Sequence, residues 1–306
     1  MSGIEVVVIG SLNMDLVARA ARLPAPGETL PGTGFATVPG GKGANQAVAA
    51  ARLGARVAMI GCVGDDAFGR ELLQGLERDR VDTGGVRVAP GLSSGVALIV
   101  VADSGQNGIV VVPGGNGQLA PADVDRHHAL LAAARVVALQ LETPLPTVEH
   151  AVRRARALDR TVVLNPAPAR PLPPSLLAGA DYLVPNEIEA SVLAGLAVDS
   201  VESALEAGRR LRAQGAANVL VTLGERGVVA VTAEGARHYP AERVQAVDTT
   251  AAGDTFIGGL CAALVRGQSL AEAIGFAQAA AAISVTRPGA QTSIPYQREV
   301  TPPRAP

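Results

Sequence analysis

Tryptophan is absent from the 306 residues, and the aromatic complement is four Phe and three Tyr. Single-stranded nucleic acid is gripped by stacking bases on aromatic rings, so that class of partner is not expected. Duplexes are not expected either: 26 basic residues against 28 acidic ones leave a net charge of −2 and no basic face. Cysteine is scarce. Cys62 and Cys261 lie far apart, and His127, His128, His150 and His238 make no ligand spacing with them, which argues against a disulfide framework and a structural zinc. No apolar run reaches the length of a membrane span, because Arg135 interrupts the longest, Ala129–Leu141. The N-terminus passes acidic Glu5 into a short apolar stretch, Val6–Ile9, without the basic start or long apolar middle of a signal peptide. The expectation is a cytoplasmic protein with no nucleic-acid and no membrane partner.

Lysine is the rarest charge. Of the 26 basic residues 25 are Arg, and the one Lys, Lys42, falls in the most glycine-rich stretch of the chain. Either this is chance in an arginine-biased composition, or a compact ammonium is needed where a planar guanidinium would not serve.

Hydrophobic residues make up 48% of the chain, enough for a large core. Short apolar runs at Val6–Ile9, Arg56–Ile60, Val136–Leu141, Thr161–Leu164, Tyr182–Val184 and Val219–Leu223 read as buried strands. They alternate with helical stretches at Ala44–Leu53, Ala67–Arg78, Thr147–Leu158, Glu187–Leu193 and Ser203–Gln214. That rhythm predicts an α/β fold, a mostly parallel central sheet with helices on both faces. Two segments break it. Asp15–Phe35 and Gly95–Pro113 hold β-branched runs with Gly and Pro but no helix; Val96–Val101 and Ile109–Val112 read as a hairpin around Asp103–Gly108. One domain, 1–306, with a small projecting β-sheet lid from about 14–36 and 95–113, is therefore expected. The proline-rich end, 299–306, is expected to fray.

Three constellations carry chemistry. Val247–Phe256 contains Ala251-Ala252-Gly253-Asp254 just before a helical stretch, Ile257–Val265. Small residues at a helix start leave N–H groups open to an anion. Asp254 in that first turn is either part of such an anion site or an ordinary acidic residue satisfying the helix terminus. Pro39–Gln46 is a second glycine-rich entry to a helix, with Lys42 and Asn45 as donors; it lacks the spacing of a P-loop. Gly10–Asp15 follows the first strand and places Asn13 and Asp15 where open α/β sheets bind ligands.

These motifs make the resemblance specific. GSLNMD at 10–15, GGKGANQAVAA at 40–50, GDDAFG at 64–69, QLETP at 140–144, LNPAPAR at 164–170, PNEIEA at 185–190, VTLGERG at 221–227, VQAVDTTAAGDTF at 244–256 and VTRPGAQTSIP at 285–295 resemble the ribokinase-type carbohydrate kinase superfamily in order along nearly the whole chain. QLETP with NPAPAR is the part similar to the ribokinases within it. The resemblance implies a Rossmann-like sheet with a β-lid that pairs with the lid of a second copy, and transfer of the ATP γ-phosphoryl group to the 5-hydroxyl of ribose. Residue by residue, Asn13, Asp15, Gly41, Lys42, Gly43, Asn45 and Glu142 match sugar-binding positions. Asp254 matches the general base, and Gly253 and Ala252 the anion hole. Asn186 and Glu189 match the Asn-x-x-Glu motif associated with phosphate and with magnesium held through water. Thr222, Leu223, Gly224, Glu225, Arg226 and Gly227, together with Gln278, match the nucleotide site. Potassium is implied at the Asp248 and Ser293 side chains with the carbonyls of Thr250, Ser284, Arg287 and Gly289. Many members carry Gly-Ala-Gly-Asp where this chain has Ala251-Ala252-Gly253-Asp254.

In this reading Asp15 and Glu142 accept from sugar hydroxyls while Asn13, Asn45 and Lys42 donate. Glu142 has an alternative as a cap for the helix after Pro144. A place at a helix N-terminus is expected to keep Asp254 ionised. Adenine is expected between Leu223–Gly227 and the helical Ile274–Ala282, against Gly275, Ala279 and Ala282, unless that helix is simply packed core. The competing readings are a kinase of deoxyribose, of a nucleoside or of 2-keto-3-deoxygluconate, the last needing an arginine such as Arg19 or Arg22, and a sugar sensor without turnover.

Overall fold

The computed structural model describes residues 3–300. In chain order its elements are β1 (Val6–Ile9), β2 (Asn13–Ala20), β3 (Gly34–Gly40), α1 (Lys42–Arg52), β4 (Val57–Gly64), α2 (Ala67–Arg78), β5 (Asp82–Ala89), β6 (Gly95–Ala102), β7 (Asn107–Val112), α3 (Pro121–Arg126), α4 (His128–Ala133), β8 (Val136–Leu139), α5 (Leu145–Ala157), β9 (Thr161–Leu164), α6 (Pro174–Ala178), β10 (Tyr182–Leu183), α7 (Glu187–Ala194), α8 (Val201–Ala213), β11 (Asn218–Thr222), β12 (Val228–Thr232), β13 (Gly235–Tyr239), α9 (Ala252–Val265) and α10 (Leu270–Ser284). Nine strands form the main sheet in the order β13-β12-β11-β10-β9-β8-β1-β4-β5. Every pair from β5 to β11 is parallel; β12 and β13 add an antiparallel hairpin at one edge.

Burial on both faces explains why the strands read as unbroken apolar runs. Val6 and Val8 of β1 point into one core with α1, α9 and α10, and Val7 and Ile9 into another with α5, α7 and α8. Alternate residues serve opposite layers, so no position is left for a polar side chain. Strand β5 and the β12–β13 hairpin were not anticipated. β5 opens Asp82-Thr83-Gly84-Gly85 on an edge, and its composition resembles a turn. Helix α9 starts at Ala252, earlier than the expected Ile257, so the glycine-bearing run is the first turn of the helix.

A separate four-stranded sheet has the order β3-β2-β6-β7. Strand β2 leaves β1 after three residues, and residues 13–40 and 95–112 build the whole unit. Leu16, Leu98 and Val110 lie opposite one another on one face, and Asp15, Ala97 and Val111 on the other. Apolar side chains are exposed on both faces: Phe35 (70%), Leu98 and Val110 on the first, Ile109 and Val111 on the second. Glu299 and Val300, at the head of the segment expected to fray, are held instead. Glu299 accepts from Tyr296 N at 2.7 Å and pairs with Arg287 at 2.8 Å, while Val300 is buried. Residues 301–306 of that expectation lie outside the described residues. Among the described residues no helix is long and apolar enough to cross a membrane.

Candidate active site

Because β1 and β8–β11 are parallel, their carboxyl ends open on one edge, and the residues that follow them gather there. Ser11 and Asn13 follow β1, Gln140 and Glu142 follow β8, Asn165 follows β9, Asn186 follows β10, and Thr222 ends β11. Helices α1 and α9 point their N-termini at the same edge. The approach of α1 is close. A Cβ on Gly43 would stand 2.5 Å from Ser11 N, and one on Gly41, whose φ is 86°, 2.7 Å from Asn13 N. Glycine is required at both.

Of the residues expected to bind sugar, Asn13, Asp15, Lys42, Asn45 and Glu142 are brought together. Asp15 lies over Gly40, where a Cβ would fall 2.4 Å from its Oδ2. Burial, and then Glu142 and Asp254, push the Asp15 carboxyl up to about 7 against the opposing pull of Lys42. Burial lowers the Lys42 ammonium, but Asp254, Glu142, Glu189 and Asp15 together outweigh it and the net direction is upward. Lys42 is thus a held cation among four carboxyl groups, which favours the functional reading of the one lysine.

Glu142 does cap a helix, but the helix is α1. Its Oε2 accepts from Ser11 Oγ at 2.5 Å and from Lys42 N at 3.0 Å, whereas α5, the helix after Pro144, has no side-chain cap. Asn45 faces Asp254. Its Nδ2 gives one hydrogen to Asp254 Oδ2 at 3.0 Å, and its Oδ1 is buried with no partner among the described residues. Asn13 keeps its donor free, since its Oδ1 accepts from Asn116 Nδ2 at 2.7 Å. Asn116 also brackets Leu12, accepting from its N and donating to its O, both at 2.9 Å.

Asp254 sits in the first turn of α9. Its Oδ2 is held by Asn45 and its Oδ1 by Gln46 Nε2 at 2.9 Å. Burial is the largest influence and pushes its carboxyl above the ordinary range, opposed by Lys42 and the two amides. Desolvation thus works against the helix terminus expected to keep Asp254 ionised, and Lys42, Asn45 and Gln46 work with it. Ala252 N bonds Thr249 O and Thr255 N bonds Ala251 O, while among the described residues no acceptor receives the N–H of Gly253 or Asp254. Ala251 adopts φ 59°, a left-handed conformation costly for a residue with a Cβ. A cleft of about 210 Å³ opens here, lined by Lys42, Asn165, Asn186, Glu189, Thr222, Gly253 and Asp254 among others.

The remaining residues form two groups. Asn186 and Glu189 make a reciprocal cap at the start of α7: Asn186 Oδ1 accepts from Glu189 N at 2.9 Å, and Glu189 accepts from Asn186 N and Nδ2 at 2.9 and 3.0 Å. Burial raises the Glu189 carboxyl, with Asn186 and Lys42 opposing. Both residues still line the cleft with lone pairs to spare, which suits a hydrated divalent ion better than direct ligation. Thr222 bridges to Asn186, and Leu223–Gly227 turns tightly from β11 to β12, with Leu223 buried, Glu225 exposed and Gly224 and Gly227 at positive φ. The Arg226 guanidinium is engaged by Glu187 at 3.1 Å and by Asp199 O. Gln278 donates to Tyr239 O at 3.1 Å. Gly275, Gln278, Ala279 and Ala282 share a half-exposed face of α10, while Ala273, Ile274, Ala277 and Ala280 are core.

Asp248 joins two segments. Its Oδ1 accepts from Thr250 N and Oγ1 at 2.9 and 2.6 Å, and its Oδ2 from Gly289 N at 2.9 Å. Although burial opposes it, these bonds hold its carboxyl below the ordinary range. Val285 O accepts from Val247 N and Asp248 N. Ser284 and Ser293 are fully buried, their hydroxyls donating to Ala281 O and Ala290 O; the Ser284 carbonyl accepts from Arg287 N. One ionised carboxylate among neutral oxygens fits a large monovalent cation.

Ser11, Gln46, Asn116, Gln140 and Asn165 were not anticipated as parts of the site. Four lie inside the motifs quoted above, and the available signal was a buried amide or hydroxyl type amid small residues.

Nearly the whole chain is similar to known carbohydrate kinases. The family model described as pfkB family carbohydrate kinase matches residues 4–297. A ribokinase of Haemophilus influenzae is 44% identical over 292 residues, 95% of each chain. A deoxyribokinase of Salmonella typhimurium is 41% identical, again over 95% of each. The structure of an Arabidopsis thaliana ribokinase complexed with ribose and ATP superposes with a TM-score of 0.91 at 32% identity, covering 98% of both chains. The chain belongs to the pfkB family of carbohydrate kinases.

Proposed function

We propose that this enzyme transfers the γ-phosphoryl group of ATP to the 5-hydroxyl of D-ribose, giving ribose 5-phosphate and ADP. The observation that carries the reading is the buried Asp254 carboxylate at the open start of α9, facing a polar set that suits an all-hydroxyl substrate: Asn13, Asp15, Lys42, Asn45 and Glu142. Asp15 holds two sugar hydroxyls, and Asp254 takes the proton of the 5-hydroxyl as its oxygen bonds to phosphorus. The N–H groups of Gly253 and Asp254, with Ala252 shaping the turn, receive the equatorial oxygens of the transferring group. Thr222–Gly227 and Gln278 hold the nucleotide, with adenine against Gly275, Ala279 and Ala282. Asn186 and Glu189 would hold magnesium through water, to neutralise phosphate charge. The same reading puts the enzyme in the cytoplasm, where ATP is supplied.

A second reading, 2-deoxyribose, is favoured by the 41% identity to a deoxyribokinase. ADP release measured with ribose, deoxyribose, adenosine and 2-keto-3-deoxygluconate decides. Ribose is expected to give the highest kcat/KM, and a higher value for deoxyribose overturns that choice.

Two parts of the proposal are separable. The four-stranded sheet acts as a lid and pairs with its counterpart in a homodimer, which would cover the apolar residues exposed on it; sedimentation showing only monomer at micromolar concentration counts against this. Potassium activates the enzyme through Asp248, Ser293 and the carbonyls of Thr250, Ser284, Arg287 and Gly289, by fixing the turn that precedes α9. Potassium should raise kcat/KM over sodium, and Asp248→Ala should remove the difference.

A further inference from the structure

Two glutamines stand behind Asp254, and sugar chemistry has no evident use for them. Gln46 on α1 and Gln140 after β8 are 1% and 0% exposed and meet at 2.5 Å, Gln140 Nε2 donating to Gln46 Oε1. The two ends of an amide look alike, so its direction has to come from an unambiguous neighbour. Here the neighbour is the Val184 carbonyl, which can only accept. Asn165 must give it Nδ2, at 3.0 Å, and therefore turns Oδ1 towards Gln46. Gln46 answers with Nε2 at 3.2 Å and gives the other hydrogen of that group to Asp254 Oδ1. Its Oε1 is left for Gln140, which must supply a donor. The chain of bonds has one possible direction, and it ends with a hydrogen aimed at the carboxylate.

Gln140 is placed for this and little else. Its Oε1 is buried without a partner among the described residues and packs where a Cβ on Gly10 would be, 2.0 Å away. A buried amide with half its capacity unused is costlier than an apolar side chain of the same shape. Its one bond is to Gln46.

We propose that Gln140, acting through Gln46, is a positioning residue for Asp254, locking the Gln46 amide so that a donor and never an acceptor faces the carboxylate. This rests on Asp254 being the base. The surroundings make such a donor matter: Lys42 of α1 is the cation facing Asp254, and Glu142 after β8, Asp15 of β2 and Glu189 of α7 are like charges.

The test is the pH profile of kcat in the full enzyme with MgATP and ribose. Gln46→Met removes the donor, so the acid limb should move up by about one pH unit and kcat on the acid side of that limb should fall about tenfold. KM for both substrates should stay within about threefold. Gln140→Met should shift the limb in the same direction by less. Gln140→Glu can still donate while its carboxyl is protonated; once ionised it sets an acceptor against the Gln46 oxygen that Asn165 keeps facing it, the Gln46 amide is pushed away from Asp254, and kcat acquires a fall on the alkaline side that Gln140→Met lacks. Thermal midpoints and calorimetric ribose binding separate these effects from misfolding, and any one of the three variants that folds gives a reading. Parental profiles in the variants beside an inactive Asp254→Asn overturn the relay and leave the base standing. An active Asp254→Asn overturns the base itself.

Discussion

Two helix starts face each other across the site, and they are finished in opposite ways. At α1, Glu142 takes Lys42 N, the Ser11 hydroxyl takes Gly43 N, the Ser11 carbonyl takes Ala44 N, and Gly41 O takes Asn45 N. Every donor of the first turn is consumed by protein. At α9 the N–H groups of Gly253 and Asp254 are left over among the described residues. Both turns are entered through a left-handed residue, Gly41 at φ 86° and Ala251 at φ 59°. The same backbone chemistry thus makes a closed terminus that anchors Lys42 and an open one that can receive an anion. What separates them is whether a carboxylate and a hydroxyl stand opposite.

The comparison breaks most severely at Asp254. Asp254→Asn should lower kcat by about 10²–10⁴ while ribose and ATP still bind, as read by turnover beside calorimetry. Next are two glycines, one from each terminus. Gly43→Ala puts a Cβ into the backbone of Gly10 and Ser11 and should cost about 1–3 kcal/mol of stability, read as a lowered denaturation midpoint. Gly253→Ala meets nothing within 4 Å, so the fold should be kept. Its methyl would instead crowd the open N–H groups, and kcat should fall about tenfold. If both variants lose stability and neither loses turnover alone, the two termini are alike after all.

Charge sharpens the comparison further. Asp15 titrates near 7 because it is buried beside Glu142 and Asp254. A carboxyl raised in this way becomes mostly ionised only above that pH, so in its proposed role its hold on sugar hydroxyls strengthens as pH rises through 7. Ribose KM should be about tenfold higher at pH 6 than at pH 8, with ATP KM flat, and Asp15→Asn should flatten the ribose curve too. The smallest effect belongs to Ala251. Ala251→Gly relieves a left-handed residue and should stabilise the protein by about 0.5–1 kcal/mol with turnover retained, read by thermal melting.

Asp254, Gly253 and Lys42 were legible because glycine-rich helix entries and a lone lysine are local signals. Strands β1, β4, β8, β9, β10 and β11 of the main sheet were legible for the same reason, being short, mostly apolar runs. Gln46 and Gln140 were not. Their meaning lies in a bond across 94 residues of sequence, and no spacing rule connects α1 to the end of β8. Glu142 shows the same limit: the neighbouring helix start after Pro144 was the natural local partner, and the actual one lies 100 residues away. The β12–β13 hairpin escaped because Ala233-Glu234 is a weak turn signature.

Strand β2 carries its own mechanical gearing. Asn116 clasps both the N–H and the carbonyl of Leu12, so the junction with the main sheet is pinned like an axle just before β2 begins. At about 3.3 Å per residue, Asp15 rides roughly 10 Å from that axle and Ala20 roughly 26 Å. A swing of about 15° would carry the strand tip about 7 Å but Asp15 less than about 3 Å. In the proposed lid, a wide excursion at the rim would leave the Asp15 carboxylate close to its place.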